Sequence, residues 1–217
     1  MPTFRQALLI SNGMGTLERL EQIFTEFPGI GPRQAKRFAA YLLRKRPALR
    51  HELARLVAEL DQSVMQCPAC LRFFERGNNK LTVCSICANE SRDKTLLLVV
   101  EKDVDVESVE RSGSYKGYYF VLGGLVPLAS DEPDRFVRFK ELVSRLEKDK
   151  AGIKELILGF SATTEGDHTH YIALERFTPI AEKNGFKITA LGRGLSTGTE
   201  LEYSDPETLK NALARRS

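Results

Sequence analysis

No apolar run in this 217-residue chain approaches 18 residues, so no segment is long and apolar enough for a membrane-spanning helix. The stretch near the start runs from Ala7 to Ser11 at most. That is too short for a secretory signal, and a cytoplasmic location is expected. Strong charge of one sign is also lacking: 32 Lys and Arg face 29 Asp and Glu, a net +3, so any contact with a polyanion must be local. Cysteine is absent outside positions 67–87, which confines thiol chemistry to one short segment. With 42% hydrophobic and 28% charged residues, the chain lacks the bias of a disordered or fibrous protein. Its length allows one or two domains.

The positive charge is unevenly placed. Residues 1–60 hold ten Lys/Arg against five Asp/Glu, whereas the remainder holds 22 against 24. Between 31 and 50 stand seven basic residues, Arg33, Lys36, Arg37, Arg44, Lys45, Arg46 and Arg50, and no acid. A basic region on a near-neutral body points to a localised polyanion contact. Taken alone, the same run also reads as a solvated helix face.

The four cysteines form two knuckles, Cys67-Pro-Ala-Cys70 and Cys84-Ser-Ile-Cys87, thirteen residues apart. Each knuckle lets backbone amides turn toward its sulfurs, and four thiolates so spaced converge on a tetrahedral Zn²⁺. A pair of disulfides is the rival reading, disfavoured in a reducing compartment. A redox C-x-x-C normally occurs once, beside a βαβ unit. Four sulfur ligands leave no open position, so one structural zinc per chain is expected, holding a module with few apolar residues of its own.

Before the cysteines the pattern predicts three helices. The first covers roughly 16–26, with Thr16 as N-cap and Leu17, Leu20, Ile23, Phe24 and Phe27 on one side. Pro28 stops it. Gly29 and Gly31 take backbone angles closed to other residues, and Pro32 suits the first position of the next helix. That helix, about 32–46, places Ala35, Phe38, Ala39, Leu42 and Leu43 toward a core and Arg33, Lys36, Arg37 and Arg44 on another face. A third, near 48–65, carries Leu49, Leu53, Leu56, Val57, Leu60 and Val64 as expected core residues, and His51 is expected to be exposed. The glycine turn thus presents backbone N–H groups at a helix N-terminus with arginines close behind, a cradle for a nucleic-acid phosphate that reads no bases. The Pro-Gly-Ile-Gly-Pro turn between amphipathic helices resembles the helix-hairpin-helix motif of non-specific DNA-binding proteins. An αα-hairpin that merely packs is the alternative.

From Thr95 onward strands and helices alternate. Strands are expected at 95–100, 117–122, 155–160 and 187–191. Helices are expected near 104–111, 134–149 (with Phe136, Phe139, Leu142, Val143 and Leu146 on one face), 166–183 and 206–215, the last capped by Asp205. This alternation implies a small α/β domain with a largely parallel sheet, whose functional groups collect beyond the carboxyl ends of strands. Glu101 sits at one such end; Ser161, Thr163, Glu165 and Asp167 lie beyond another. The pattern resembles a Toprim domain. Active Toprim enzymes hold Mg²⁺ with a Glu after the first strand and an Asp-x-Asp after a later one. Here Glu101 matches the Glu, but Ser161-Ala162-Thr163 stands in the Asp-x-Asp position and lacks the charge a divalent cation needs. The resemblance therefore implies a catalytically silent scaffold, with Glu101, Glu165, Asp103 and Asp105 left for weak metal binding or partner contact. A nuclease or phosphoryl transferase with a degenerate metal site is the alternative, and a zinc-stabilised adaptor without nucleic-acid affinity is a third reading.

In order, the chain reads as a helix-hairpin-helix region (1–66), a four-cysteine zinc finger (67–93), a Toprim-like α/β domain (94–192) and a C-terminal helical tail (193–217), a mixed α+β and α/β multi-module architecture. This order resembles the RecR family of bacterial recombination mediators over roughly 14–216. The resemblance rests on Phe-Pro-Gly-Ile-Gly-Pro (27–32), Cys-Ser-Ile-Cys-x-x-x-x-Arg-Asp (84–93), Val-Val-Glu (99–101), Val-Leu-Gly-Gly (121–124), Thr-Glu-Gly (164–166) and Arg-Gly-Leu through Leu-Glu-Tyr-Ser-Asp (193–205). It implies a non-enzymatic role in DNA repair, acting with RecO and RecF on gapped DNA to help load RecA. It also implies a homo-oligomer, a ring-forming dimer or tetramer, with the hairpins facing the opening. Its DNA-contacting residues fall on Arg33 and Arg37, with Lys36, Gly29 and Gly31 beside them, and its acids on Glu101 and Glu165. The chain departs from the family pattern in four places. About twelve residues precede the usual start, and the inter-knuckle gap is longer. Gly-Ile-Gly-Pro is missing after Leu-Gly-Gly, and Ser161-Ala162 replaces Asn-Pro.

Overall fold

A computed structural model describes residues 14–77, 82–148, 152–192, 198, 200–204 and 206–214, which divide into two units, Met1–Ser63 and Val64–Ser217. The first unit is helical: α1 spans Thr16–Thr25, α2 Pro32–Arg44 and α3 Pro47–Ser63. Phe24 joins α1 to α2, its ring meeting Phe38 edge-on at 5.9 Å. Ala35 and Ala39 are fully buried, small enough to let the helices approach. Thr16 is the first helical residue; the cap position belongs to Gly15, in extended backbone, with no side-chain bond.

The core expected in this unit is narrower than the hydrophobic period implies. Phe38 is 39% and Leu43 63% exposed, and α3 buries nothing: Leu49, Leu53, Leu56, Val57 and Leu60 are 42–60% exposed. Periodicity identifies an apolar stripe, and among the described residues of this unit no further layer lies against it. The last residue of that stripe, Val64, leaves the helix for a strand.

The second unit begins with an antiparallel pair, β1 (Val64–Gln66) and β2 (Phe73–Glu75), followed by a short α4 (Ser85–Ala88). Then come β3 (Asp93–Val100), α5 (Asp103–Ser112), β4 (Gly117–Val121), α6 (Phe139–Lys148), β5 (Glu155–Gly159), α7 (Thr164–Asn184), β6 (Lys187–Ala190) and α8 (Pro206–Ala214). The four later strands form one parallel sheet in the order β4-β3-β5-β6. Its strands read as continuous apolar runs because both faces are covered. Leu97 and Val99 join Phe120, Leu156 and Leu158 beneath α6 and α7, where Phe139 meets Phe177 edge-on at 5.6 Å. The alternate residues Leu98 and Val100 share the opposite face with Tyr119, Val121, Val106 of α5 and the sulfurs of Cys67, Cys70 and Cys84.

The helix expected over 134–149 is split. Pro133 opens a 3₁₀ turn, Pro133–Arg135, and α6 begins only at Phe139. Arg138 N–H donates to Leu122 O at 2.9 Å, drawing the backbone to the end of β4, and Asp134 is held by Arg176 at 2.7 and 2.9 Å. Phe136, outside the helix, is 48% exposed instead of sharing the buried face. The 193–195 part of the tail motif, the Asp205 cap and positions 78–81 of the inter-knuckle loop lie outside the described residues.

Candidate functional site

The two cysteine knuckles converge. Cys67 N–H donates to Arg72 O and Leu71 N–H to Cys67 O, both at 2.8 Å, closing the first knuckle, with Leu71 in the left-handed region at φ 61°. The second closes through Ala88 N–H to Cys84 O at 2.9 Å. All four sulfurs lie within 4.8 Å of one another, and Cys70 Sγ stands 3.6 Å from Cys84 Sγ. A tetrahedral Zn²⁺ with bonds near 2.3 Å sets sulfur–sulfur edges of about 3.8 Å, whereas a disulfide needs about 2 Å. The cysteines are free thiols and fit the metal. Their electrostatics agree: hydrogen bonding from Cys70, Cys84 and Cys87 pushes the Cys67 thiol below its ordinary range, while donation to Cys67 pushes Cys70 and Cys87 above theirs. Without a cation, one cluster cannot carry four thiolates. Cys84 N–H also donates to Cys67 Sγ at 3.4 Å, as such a site requires.

Two arginines that stand in no recognisable motif hold the first knuckle on edge strand β4. Arg145 Nη1 donates to Ala69 O and Tyr119 O, both at 2.7 Å. Arg138 Nη1 donates to Leu71 O at 3.2 Å and Val121 O at 3.1 Å, and Val121 N–H donates to Cys70 O at 2.8 Å. The knuckle therefore also covers polar groups that an edge strand would otherwise expose.

The acids at the strand ends sit where the sheet order turns. Glu101 follows β3, is 7% exposed, and accepts a hydrogen bond from Ser161 N–H beyond the neighbouring β5. Asp103 accepts from Phe73 N–H at 2.7 Å and Asp105 from Lys102 N–H at 2.8 Å. Each of these three carboxylates is thus engaged by a backbone amide. Thr163 caps α7 by accepting from Gly166 N–H at 3.1 Å, and its hydroxyl lies 3.0 Å from Ser161 Oγ. Glu165 is exposed in the first turn of α7. Among the described residues, the cysteines are the one group of three or more His, Cys, Asp or Glu placed to share an ion; Glu101 and Glu165 are not brought into such a group.

In the helical unit, the turn between α1 and α2 closes with Ile30 N–H to Phe27 O at 3.1 Å. Gly29 takes φ 77°, which requires glycine, and Gly31 takes the N-cap position of α2, with Pro32 following as first helical residue. Arg33, Lys36 and Arg37 are all exposed, with Arg37 within 3.3 Å of Gln34 Oε1. Pro32 has no N–H and Gln34 N–H donates to Gly31 O at 3.0 Å, so the cradle rests on the positive end of the helix dipole and on the exposed Arg33, Lys36 and Arg37, a combination that suits a phosphate. Arg50, counted in the same basic run, is spent differently: its Nη1 donates to Leu42 O at 3.1 Å and Lys45 O at 3.0 Å, closing the carboxyl end of α2.

Residues 95–192 match the Toprim domain family. The recombination protein RecR of Chlorobium chlorochromatii is 34% identical over 203 residues, covering 93% of this chain and 96% of that protein. RecR of Chloroflexus aurantiacus is 35% identical over 198 residues, covering 91% and 92%. RecR of Cereibacter sphaeroides is 36% identical over 204 residues, covering 93% and 96%. Among the described residues no helix is long and apolar enough to cross a membrane.

Proposed function

The chain belongs to the RecR family of recombination proteins, and on that premise we propose that it is a DNA-binding mediator without turnover, gripping the sugar–phosphate backbone through Arg33, Lys36 and Arg37 at the Gly29–Gly31 turn. One observation carries this reading: the left-handed Gly29 turn feeds a helix N-terminus whose nearest cations are exposed. The modules are read as 1–66, 67–93, 94–192 and 193–217. The metal is Zn²⁺, one per chain, held by Cys67, Cys70, Cys84 and Cys87. Its coordination is filled by sulfur, so it supplies folding energy and fixes the knuckles on β4.

The Toprim acids act as structure or as partner contact, not in phosphoryl transfer. Glu101, Asp103 and Asp105 are each engaged by a backbone amide, and the hydroxyl residues Ser161 and Thr163 stand in the place of the second acid pair. In this reading the protein works with RecO and RecF to help load RecA on gapped DNA, with the exposed Glu165 in the first turn of α7 as the partner contact and the buried Glu101 as structure. It assembles as a ring-forming dimer or tetramer. The exposed leucines of α3 favour this, since an apolar stripe of that length is best buried against a second copy.

The deciding experiment incubates the purified chain with labelled gapped, duplex and single-stranded DNA in Mg²⁺ or Mn²⁺. Retention without cleavage or joining supports the mediator. Metal-dependent strand chemistry that disappears in Glu101→Ala establishes the nuclease or transferase instead, and no retention at low salt, with or without partners, leaves the adaptor reading.

A further inference from the structure

Between the metal module and the sheet lies a groove of about 620 Å³. An irregularity in β3 shapes it. Asp93 pairs with Gly117 of β4, but the next pair is Leu97 with Tyr118, so Lys94, Thr95 and Leu96 face no partner on β4. Asp93 Oδ1 fixes this bulge, accepting from Thr95 N–H at 2.8 Å and from Thr95 Oγ1 at 2.6 Å. Gly117 makes room for it: a Cβ there would stand 2.6 Å from Leu96 Cβ and 2.3 Å from the Tyr115 hydroxyl. Bulges are rare in parallel pairs and re-aim side chains. This one gives Lys94 and Leu96 to the groove wall.

The floor is aliphatic, made by Val83, Leu96, Leu97 and Ile153, and the rim carries Lys94, Arg145 and Lys148 against Glu90, the one acid among its described residues. Both lysines are exposed, and Arg145 is pinned at a fixed point by its two carbonyl bonds. A second hollow of about 410 Å³, lined by Pro68, Leu71, Phe120, Ser144 and the acid Glu141, shares Ala69, Arg145 and Lys148 with the first. The fixed Arg145 cation thus borders both hollows, and Glu141 lines only the second. Neither shares a residue with the crevice at Glu101.

An apolar floor under a basic rim complements a peptide that alternates aliphatic or aromatic side chains with carboxylates. A nucleic acid fits less well. Among the described residues Tyr118 is the one aromatic lining the larger hollow, its hydroxyl is committed to Asn89 O at 2.9 Å, and an aliphatic floor offers phosphates no donor. We propose that this groove docks an acidic peptide segment bearing apolar side chains, presented by a protein partner, as a surface distinct from the Glu101 crevice.

The test titrates the full, metal-loaded chain into a fluorescein-labelled hexapeptide of alternating leucine and aspartate, read by anisotropy, beside the same peptide with lysine for aspartate. The acidic peptide is expected to bind at least tenfold more tightly than the basic one. Lys94→Glu with Lys148→Glu is expected to weaken the acidic peptide at least tenfold with melting unchanged, and Ile153→Asp, which keeps the lysines, to weaken it as well. No binding at millimolar concentration, equal binding of the two peptides, or unchanged affinity in the lysine variant overturns the proposal. So does a drop in oligomer mass in that variant, which assigns the groove to a second copy. Displacement of the peptide by an oligonucleotide whose own affinity falls in the same variant assigns it to nucleic acid and likewise overturns the proposal.

Discussion

Arg92 holds both carboxylate oxygens of Glu110, Nη1 to Oε2 at 3.0 Å and Nη2 to Oε1 at 2.6 Å. Its Nε also donates to Gly117 O at 2.8 Å, and its guanidinium lies 5.5 Å from the centre of the Tyr119 ring. Tyr119 hydroxyl completes the set by donating to Glu110 Oε1 at 2.5 Å. Arg92 stands where the metal module hands over to β3, so this one side chain ties the module's exit to α5 and to the start of β4. Its neighbour Asp93 shapes the bulge beside it. The Arg-Asp pair after the second knuckle therefore builds the seam between metal centre and sheet.

Arg92→Ala is expected to cost about 3 kcal/mol, because it leaves the half-buried Glu110 carboxylate without its cation and Gly117 O without its donor. The loss should depend on pH. Hydrogen bonding from Arg92 holds the Glu110 carboxyl below the ordinary carboxylate range. A depressed folded-state value contributes stability that is fully present above the unfolded value of about 4.3 and is lost as pH falls through the folded one. Urea melts at pH 7 and pH 3 check this: the parent and Arg92→Ala should differ clearly at pH 7 and converge on acidification. A constant difference would place the effect in packing alone.

Gly166→Ala tests the junction between β5 and α7. A Cβ at Gly166 would lie 2.0 Å from Ser161 O, a backbone atom held near Glu101 through Ser161 N–H. Alanine gains about 1 kcal/mol in helix propensity. The clash costs about 3 kcal/mol, since the carbonyl cannot move without releasing the loop. The clash wins, and a net loss of about 2 kcal/mol is expected by thermal or chemical melting. A neutral or stabilised variant would show that this loop yields.

The legible parts of the molecule were those encoded locally. The knuckle spacing located four cysteines that converge as a metal site would need, the run 95–100 a strand covered on both faces, and Phe27 to Pro32 a turn needing left-handed backbone at Gly29. What was illegible depended on partners distant in sequence. Arg145 lies 76 residues from Ala69, and nothing in its own neighbourhood announces that it pins the knuckle. Arg50 was counted as one more surface charge because its bonds run back to carbonyls of the preceding helix. The leucines of α3 carry a true apolar period, but a period cannot say whether the covering surface belongs to the same chain.

Metal removal should act on stability rather than on chemistry. Elemental analysis is expected to give one zinc per chain, and Cys67→Ser to lose the metal and lower the melting temperature by on the order of 10 °C. Acid should have the same effect in the parent, because protons compete with the ion for thiolate. A metal-free Cys67→Ser protein that melts with the parent would overturn a structural role.

Arg33, Arg37 and Arg50 carry the same charge within one basic run, yet the structure places them differently. Arg33 and Arg37 are exposed beside the amino end of α2, whereas Arg50 is bonded to Leu42 O and Lys45 O at its carboxyl end. Replacing both Arg33 and Arg37 by alanine should leave melting unchanged and remove two phosphate contacts. The log–log slope of duplex affinity against salt would then become shallower by about 1.8, or about 1.4 on single strands. Arg50→Ala should do the reverse, costing about 1–2 kcal/mol by freeing two helix-end carbonyls while changing the salt slope little. Binding titrations across a salt series, run beside melts of both variants, separate the duties. If the double variant keeps the parent slope, the glycine turn is not where DNA is held, and if Arg50→Ala alone flattens it, the contact lies at the other end of the helix.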